Sequence, residues 1–169
     1  MRMPLNETHI PEQAERDASK TDSLFSRAGI RHEVALDVLG SLIAHYAELL
    51  GIERSRAVPD DAVVRQAEAI QRYLRHTRNE LNPKNATEIE STIARYAPLA
   101  RRLYADPQTA SDPLAERAAW FRQANASLAR EGRAVDDADL ALQAQVILGV
   151  LSSEEAIERY RRPACRNQA

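Results

Sequence analysis

A chain of 169 residues that is 44% apolar but only 5% aromatic is about one domain's worth of polypeptide, and its apolar share is mostly Ala and Leu, a diet that favours helices over sheets. The net charge of -2 is evenly spread, with 11 basic and 11 acidic residues over positions 30–107 and 7 and 9 over 112–163, so nothing resembles an electrostatic footprint for nucleic acid. A single cysteine, Cys165, excludes an internal disulfide, and His9, His32, His45 and His76 have no metal-ligand spacing. No run approaches the roughly 18 to 20 uninterrupted apolar residues of a membrane span, and the first residues lack the apolar segment of a secretory signal. The expectation is a soluble, cytoplasmic protein without metal or cofactor.

Residues 1–29 mix charges, Ser, Thr and proline with few clustered apolar side chains, which predicts a disordered arm. Helical periodicity then sets in: Ala35, Leu39, Leu42, Tyr46 and Leu49 form one stripe, with Gly51 as a natural stop. Pro59-Asp60-Asp61 supplies the start of a second helix carrying Val63, Ala67, Ile70 and Leu74, which should end near Leu81, before Asn82-Pro83. A third helix is expected from Thr87, whose hydroxyl has Glu90 three residues later in capping-box order, through Ile89, Ile93, Tyr96, Ala100 and Leu103. Pro98 should kink or break it.

The stretch from Asp106 to Pro113 has a linker's composition and marks a boundary between a helical unit of unassigned role over 30–107 and a second module over 112–163. Three more helices follow. The first starts at Pro113, carries Leu114, Ala118, Phe121 and Leu128, and closes on Gly132. The second follows Asp136-Asp137 and carries Leu140, Ala144, Ile147 and Val150 or Leu151; the third opens on a Ser152/Glu155 capping box, carries Ala156, Ile157 and Tyr160, and stops at Pro163. The whole reads as an all-α chain of two three-helix units.

Catalytic constellations are absent from this pattern. There is no Gly-rich phosphate loop, no HExxH and no GxSxG, and the plentiful carboxylates alternate with arginines at helical spacing, as on a solvated helix surface. His45, beside the first apolar stripe, reads as a packed histidine rather than a base. The informative segment is Ala124-Asn125-Ala126-Ser127-Leu128-Ala129-Arg130-Glu131-Gly132. Ser127 and Glu131 are four apart and share a helix face about a quarter turn away from Phe121 and Leu128. Glu131 also ends its helix, where unpaired carbonyls disfavour a carboxylate by roughly 0.3 to 1 kcal/mol. A guanidinium from outside the helix is the best compensating partner, because it binds a carboxylate through two parallel hydrogen bonds.

This segment resembles the inhibitory helix of the VbhA-type antitoxins that silence Fic proteins, whose signature is Ser or Thr, three residues, Glu, then Gly or Asn. The likeness continues with the small-residue approach Ala124-x-Ala126-Ser127, the acidic turn Asp136-Asp137, the apolar helix closing on Gly149, and the Ser152-Ser153-Glu154-Glu155 start of a last helix. It spans roughly Arg117 to Arg162 and departs at Val150, where such sequences usually carry an acidic residue.

The resemblance implies a non-enzymatic antitoxin whose partner is a Fic-domain toxin, an enzyme that transfers AMP from ATP to a protein hydroxyl through a loop of pattern HPFxxGNGR. This chain has no His-Pro pair. By the same resemblance Glu131 enters the partner's ATP site and pairs with the arginine that otherwise holds the γ-phosphate. Ser127 fixes the rotation of the helix, and Gly132 turns the chain away. Ala124, Leu128, Ile147, Leu151, Ile157 and Tyr160 are the expected partner contacts, although the last four suit an internal core equally well. The competing reading is a helical scaffold, oligomerisation or adaptor protein in which the same segment is a solvated helix end. Transcriptional autoregulation through the N-terminal half is disfavoured by its balanced charge.

Overall fold

The first apolar stripe becomes the inner face of a long helix, α1 (Arg27–Arg54), on which Ala35, Leu39, Leu42 and Tyr46 are buried, joined by Leu50 in place of the expected Leu49, which is half-buried. The structure, a computed structural model, describes residues 27–103 and 113–161. The expected arm up to residue 26, the linker over 106–112, and Pro163 lie outside the described residues.

Helix α1 is longer than its sequence signals suggest at both ends. It begins at Arg27, so positions 27–29 are helical rather than part of an arm, and Arg31 in the next turn is tied to Glu90 by two charge-assisted bonds, Nε to Oε1 at 2.6 Å and Nη2 to Oε2. It also runs through Gly51, whose φ is not positive; the left-handed glycines among the described residues are Gly132 and Gly149. The helix unwinds only at Ser55, whose N–H still reaches Gly51 O at 3.1 Å. The Glu53 carboxylate, buried at this end, accepts from the Asp60 N–H at 2.8 Å and pairs with Arg56 at 3.0 Å, holding the turn into the next helix. By length and composition α1 could cross a membrane. Its buried residues pack against two other helices of this chain.

Helix α2 (Asp61–Glu80) starts where expected, with the Asp60 carboxylate accepting from Ala62 N–H at 2.9 Å and Val63 N–H at 3.3 Å, and ends against Leu81. Helix α3 (Ala86–Leu103) is capped by Asn85 rather than Thr87, the Asn85 amide oxygen accepting from Glu88 N–H at 3.2 Å, while Glu90 is drawn off to Arg31. Pro98 neither breaks α3 nor ends it. Both Pro98 and Ala94, whose carbonyl loses its helical donor, are exposed, so solvent can satisfy that carbonyl.

Helices α4 (Pro113–Arg130), α5 (Asp137–Ile147) and α6 (Ser153–Arg161) follow, and every regular element among the described residues is helical. The fold is all-α, as the composition and periodicity predict. Asp136 and Asp139 close a capping box on α5, and Ser152 and Glu155 close the expected one on α6, at 2.8 and 3.1 Å.

The helices on either side of the boundary segment bury their apolar faces in one cluster. Leu39, Leu42 and Tyr46 of α1, Ile70 and Leu74 of α2 and Tyr96 of α3 are joined there by Leu114 and Ala118 of α4, Ala144 and Ile147 of α5, and Leu148. Helix α2 is the common element, touching α1, α4 and α5. Ala35, Leu81 and Ile89 make a smaller, separate cluster.

Candidate functional site

Helix α4 enters the core only through its first turns. Leu114 and Ala118 are buried; beyond them Phe121, Asn125 and Leu128 are half-buried and the remaining residues of the last turns, apart from Arg122, are exposed. Those last turns are held by polar contacts on one side. The Asn125 and Gln143 amides exchange hydrogen bonds at 3.0 Å in each direction, and Arg122 donates to the Gln66 side-chain oxygen at 2.8 Å.

The helix ends in a Schellman turn. Gly132 sits at φ 75°, its N–H bonding Ala129 O at 3.1 Å, and the Arg133 N–H closes back on Leu128 O at 2.9 Å. Glu131 is the cap residue of this turn, next to carbonyls that carry the negative end of the helix dipole. It is exposed, and no described residue forms an ion pair or hydrogen bond with its carboxylate. Ser127, one turn earlier and also exposed, directs its hydroxyl to Gln123 O at 3.2 Å within the helix. The pair thus forms a polar edge facing away from the molecule.

The same exposed face carries Trp120, 68% accessible, and Ala124. Positions 120, 124, 127 and 131 follow at intervals of four, three and four, the spacing of a single helix stripe. Trp120 lies outside the expected apolar stripe of Leu114, Ala118, Phe121 and Leu128, and its register with Ser127 and Glu131 is the signal in the sequence that marks it.

The six expected partner contacts divide. Ile147 and Leu151 are buried, at 0% and 7% accessible, so they belong to this chain's own core and not to an outer surface. Ile157 and Tyr160 are half or more exposed, Ala124 is exposed, and Leu128 is half-buried. Leu128, Ala124, Ile157 and Tyr160 line one groove of about 450 Å³ between α4, α5 and α6, together with Phe121, Leu142 and Val146. Gly149 at φ 69° closes α5 in a second Schellman turn, and Arg117 of α4 donates to Val146 O at 3.1 Å, tying the start of α4 to the end of α5. No cluster of potential metal ligands occurs among the described residues.

The segment that builds this face and groove is the one that comparison with known proteins picks out. Residues 117–162 match the family model of antitoxin VbhA. No curated protein and no solved structure matches the chain. The VbhA match begins at Arg117, covers most of α4 and all of α5 and α6, and leaves α1 to α3 unassigned. It supports an antitoxin role for the part of the chain that carries Ser127, Glu131 and Gly132.

Proposed function

We propose that this chain is a cytoplasmic, non-enzymatic antitoxin that binds a Fic-domain AMP-transferase and blocks AMP transfer with the carboxylate of Glu131. The observation that carries the reading is the position of that carboxylate: exposed, without a cation among the described residues, and at the negative end of a helix within the VbhA-matching segment. Such a group is more stable against an external guanidinium than where it stands.

In this reading the last turns of α4 enter the partner's nucleotide site. Glu131 takes the arginine that would otherwise hold the γ-phosphate, and ATP then sits with its α-phosphate out of line for attack by the target hydroxyl. Transfer chemistry of this kind depends on positioning and charge stabilisation, so a displaced phosphate costs orders of magnitude in rate. Ser127 fixes the helix rotation beside the catalytic loop. Trp120 and Ala124, farther back on the same stripe, rest on the partner outside the nucleotide site, and Ile157 and Tyr160 extend the contact onto α6.

Binding and blocking reside in different atoms. Co-expression with the candidate Fic partner, followed by co-purification and an AMP-transfer assay, separates them. Glu131→Gly is expected to leave the complex intact and restore transfer. A complex that falls apart on this substitution, or remains silent, counts against the reading.

A further inference from the structure

Two neighbouring residues of α2, Arg65 and Gln66, hold the chain on either side of Glu131. Gln66 is 4% accessible and its amide spans one turn of α4: its nitrogen donates to Ala118 O at 3.1 Å and its oxygen accepts from Arg122 at 2.8 Å. Because Ala118 and Arg122 are four apart, a rotation of α4 by one residue, about 100°, would break both bonds. Arg65 reaches the other side of the turn, its guanidinium donating to Val135 O at 2.8 Å. Arg72, two turns further along α2, faces Asp137 at the start of α5 at 3.9 Å. Glu131 therefore sits on a segment, 122 to 135, that is pinned at both ends by α2. Between the pins α4 has no fully buried side chain, and the Asn125–Gln143 amide pair ties it to α5, which α2 also packs against.

From this we infer that the N-terminal helices, residues 27–103, are a positioning platform for the inhibitory turn, acting through Gln66 and Arg65 of α2. The inference rests on the proposed function and assigns a role to three helices that the VbhA match leaves out. In this role each works by restricting the angle and depth at which Ser127 and Glu131 are presented. A helix end held in its binding geometry loses less freedom on association, which lowers the cost of docking.

The test uses the full chain with the Fic-domain partner. Gln66→Met keeps the side-chain volume without its bonds, and is combined with Arg65→Met. Ile89→Ala, in the separate small cluster, serves as a control that lowers thermal stability away from α4. In the partner-free protein, amide exchange over 123–135 is expected to speed up in the α2 variant and to stay at wild-type rates in the control. The concentration that halves AMP transfer is expected to rise about tenfold or more in the α2 variant only. Gln66→Glu, which can still accept from Arg122, should recover part of the loss.

Unchanged exchange over 123–135, unchanged inhibition by the α2 variant, or an equal loss of inhibition in the Ile89→Ala control would overturn the inference alone. A wild-type chain that fails to inhibit the transferase, or a Glu131→Gly chain that inhibits as well as wild type, would overturn the proposed function first and the platform role with it.

Discussion

Asn125 of α4 and Gln143 of α5 form a closed amide pair, each donating to the other at 3.0 Å, half-buried beneath the exposed face that carries Ser127. Removing one member strands the other in a partly dry site. Asn125→Ala is expected to cost about 1 to 2 kcal/mol in urea unfolding, and Gln143→Ala a similar amount. The double replacement Asn125→Leu with Gln143→Leu should cost less than the sum of the two single alanine variants, because no polar group is then left unpaired.

The two left-handed glycines differ in their surroundings. Gly132 has open space where a Cβ would go, so Gly132→Ala pays only for the backbone conformation, about 1 kcal/mol. At Gly149 a Cβ would meet Arg117 Nη1 at 3.3 Å, and that guanidinium is occupied with Val146 O. Gly149→Ala is therefore expected to be the more destabilising of the two, with thermal unfolding as the check.

Trp120 touches little of its own chain yet lies in register with Ser127 and Glu131. Exposed tryptophans on a binding face are frequent anchors. Trp120→Ala should leave the unfolding midpoint nearly unchanged and weaken binding to the proposed Fic partner by about tenfold or more, while inhibition at saturation stays complete. Titration calorimetry alongside the transfer assay reads both.

Burial in the core pushes the Tyr96 phenol above its ordinary pKa, with the neighbouring Tyr73 adding to the effect. A group whose folded pKa lies above its unfolded value stabilises the fold below the unfolded value, about 10 for tyrosine, and loses that contribution as pH rises beyond it. Urea midpoints should fall above pH 10 in the wild-type protein and fall less steeply in Tyr96→Phe.

What was legible in the sequence was mostly local. The stripe of Leu39, Leu42 and Tyr46, the Asp60 cap and the Ser152/Glu155 box follow from spacing and side-chain chemistry within a turn or two, and each is present. The misread ends of α1 and α3 depend on partners distant in the chain. Glu90, expected to cap its own helix, is claimed by Arg31 of α1, and the cap falls to Asn85. Gly51 stays helical because the exit from α1 is fixed by Glu53 and Asp60, not by a left-handed turn. At the site, the register of Ser127 and Glu131 could be read directly. That Ile147 and Leu151 face inward could not, since an apolar helix face looks the same whether a partner or this chain's own helices, α2 among them, cover it.

The most direct test of the central claim is the rate of AMP transfer by the proposed Fic partner saturated with the Glu131→Gln chain, compared with the wild-type complex. This substitution keeps the size of the side chain and removes only its charge. If the carboxylate holds the nucleotide-site arginine, transfer should rise by about tenfold or more while the affinity of the complex changes little. A neutral side chain that silences the enzyme as fully as glutamate would contradict it.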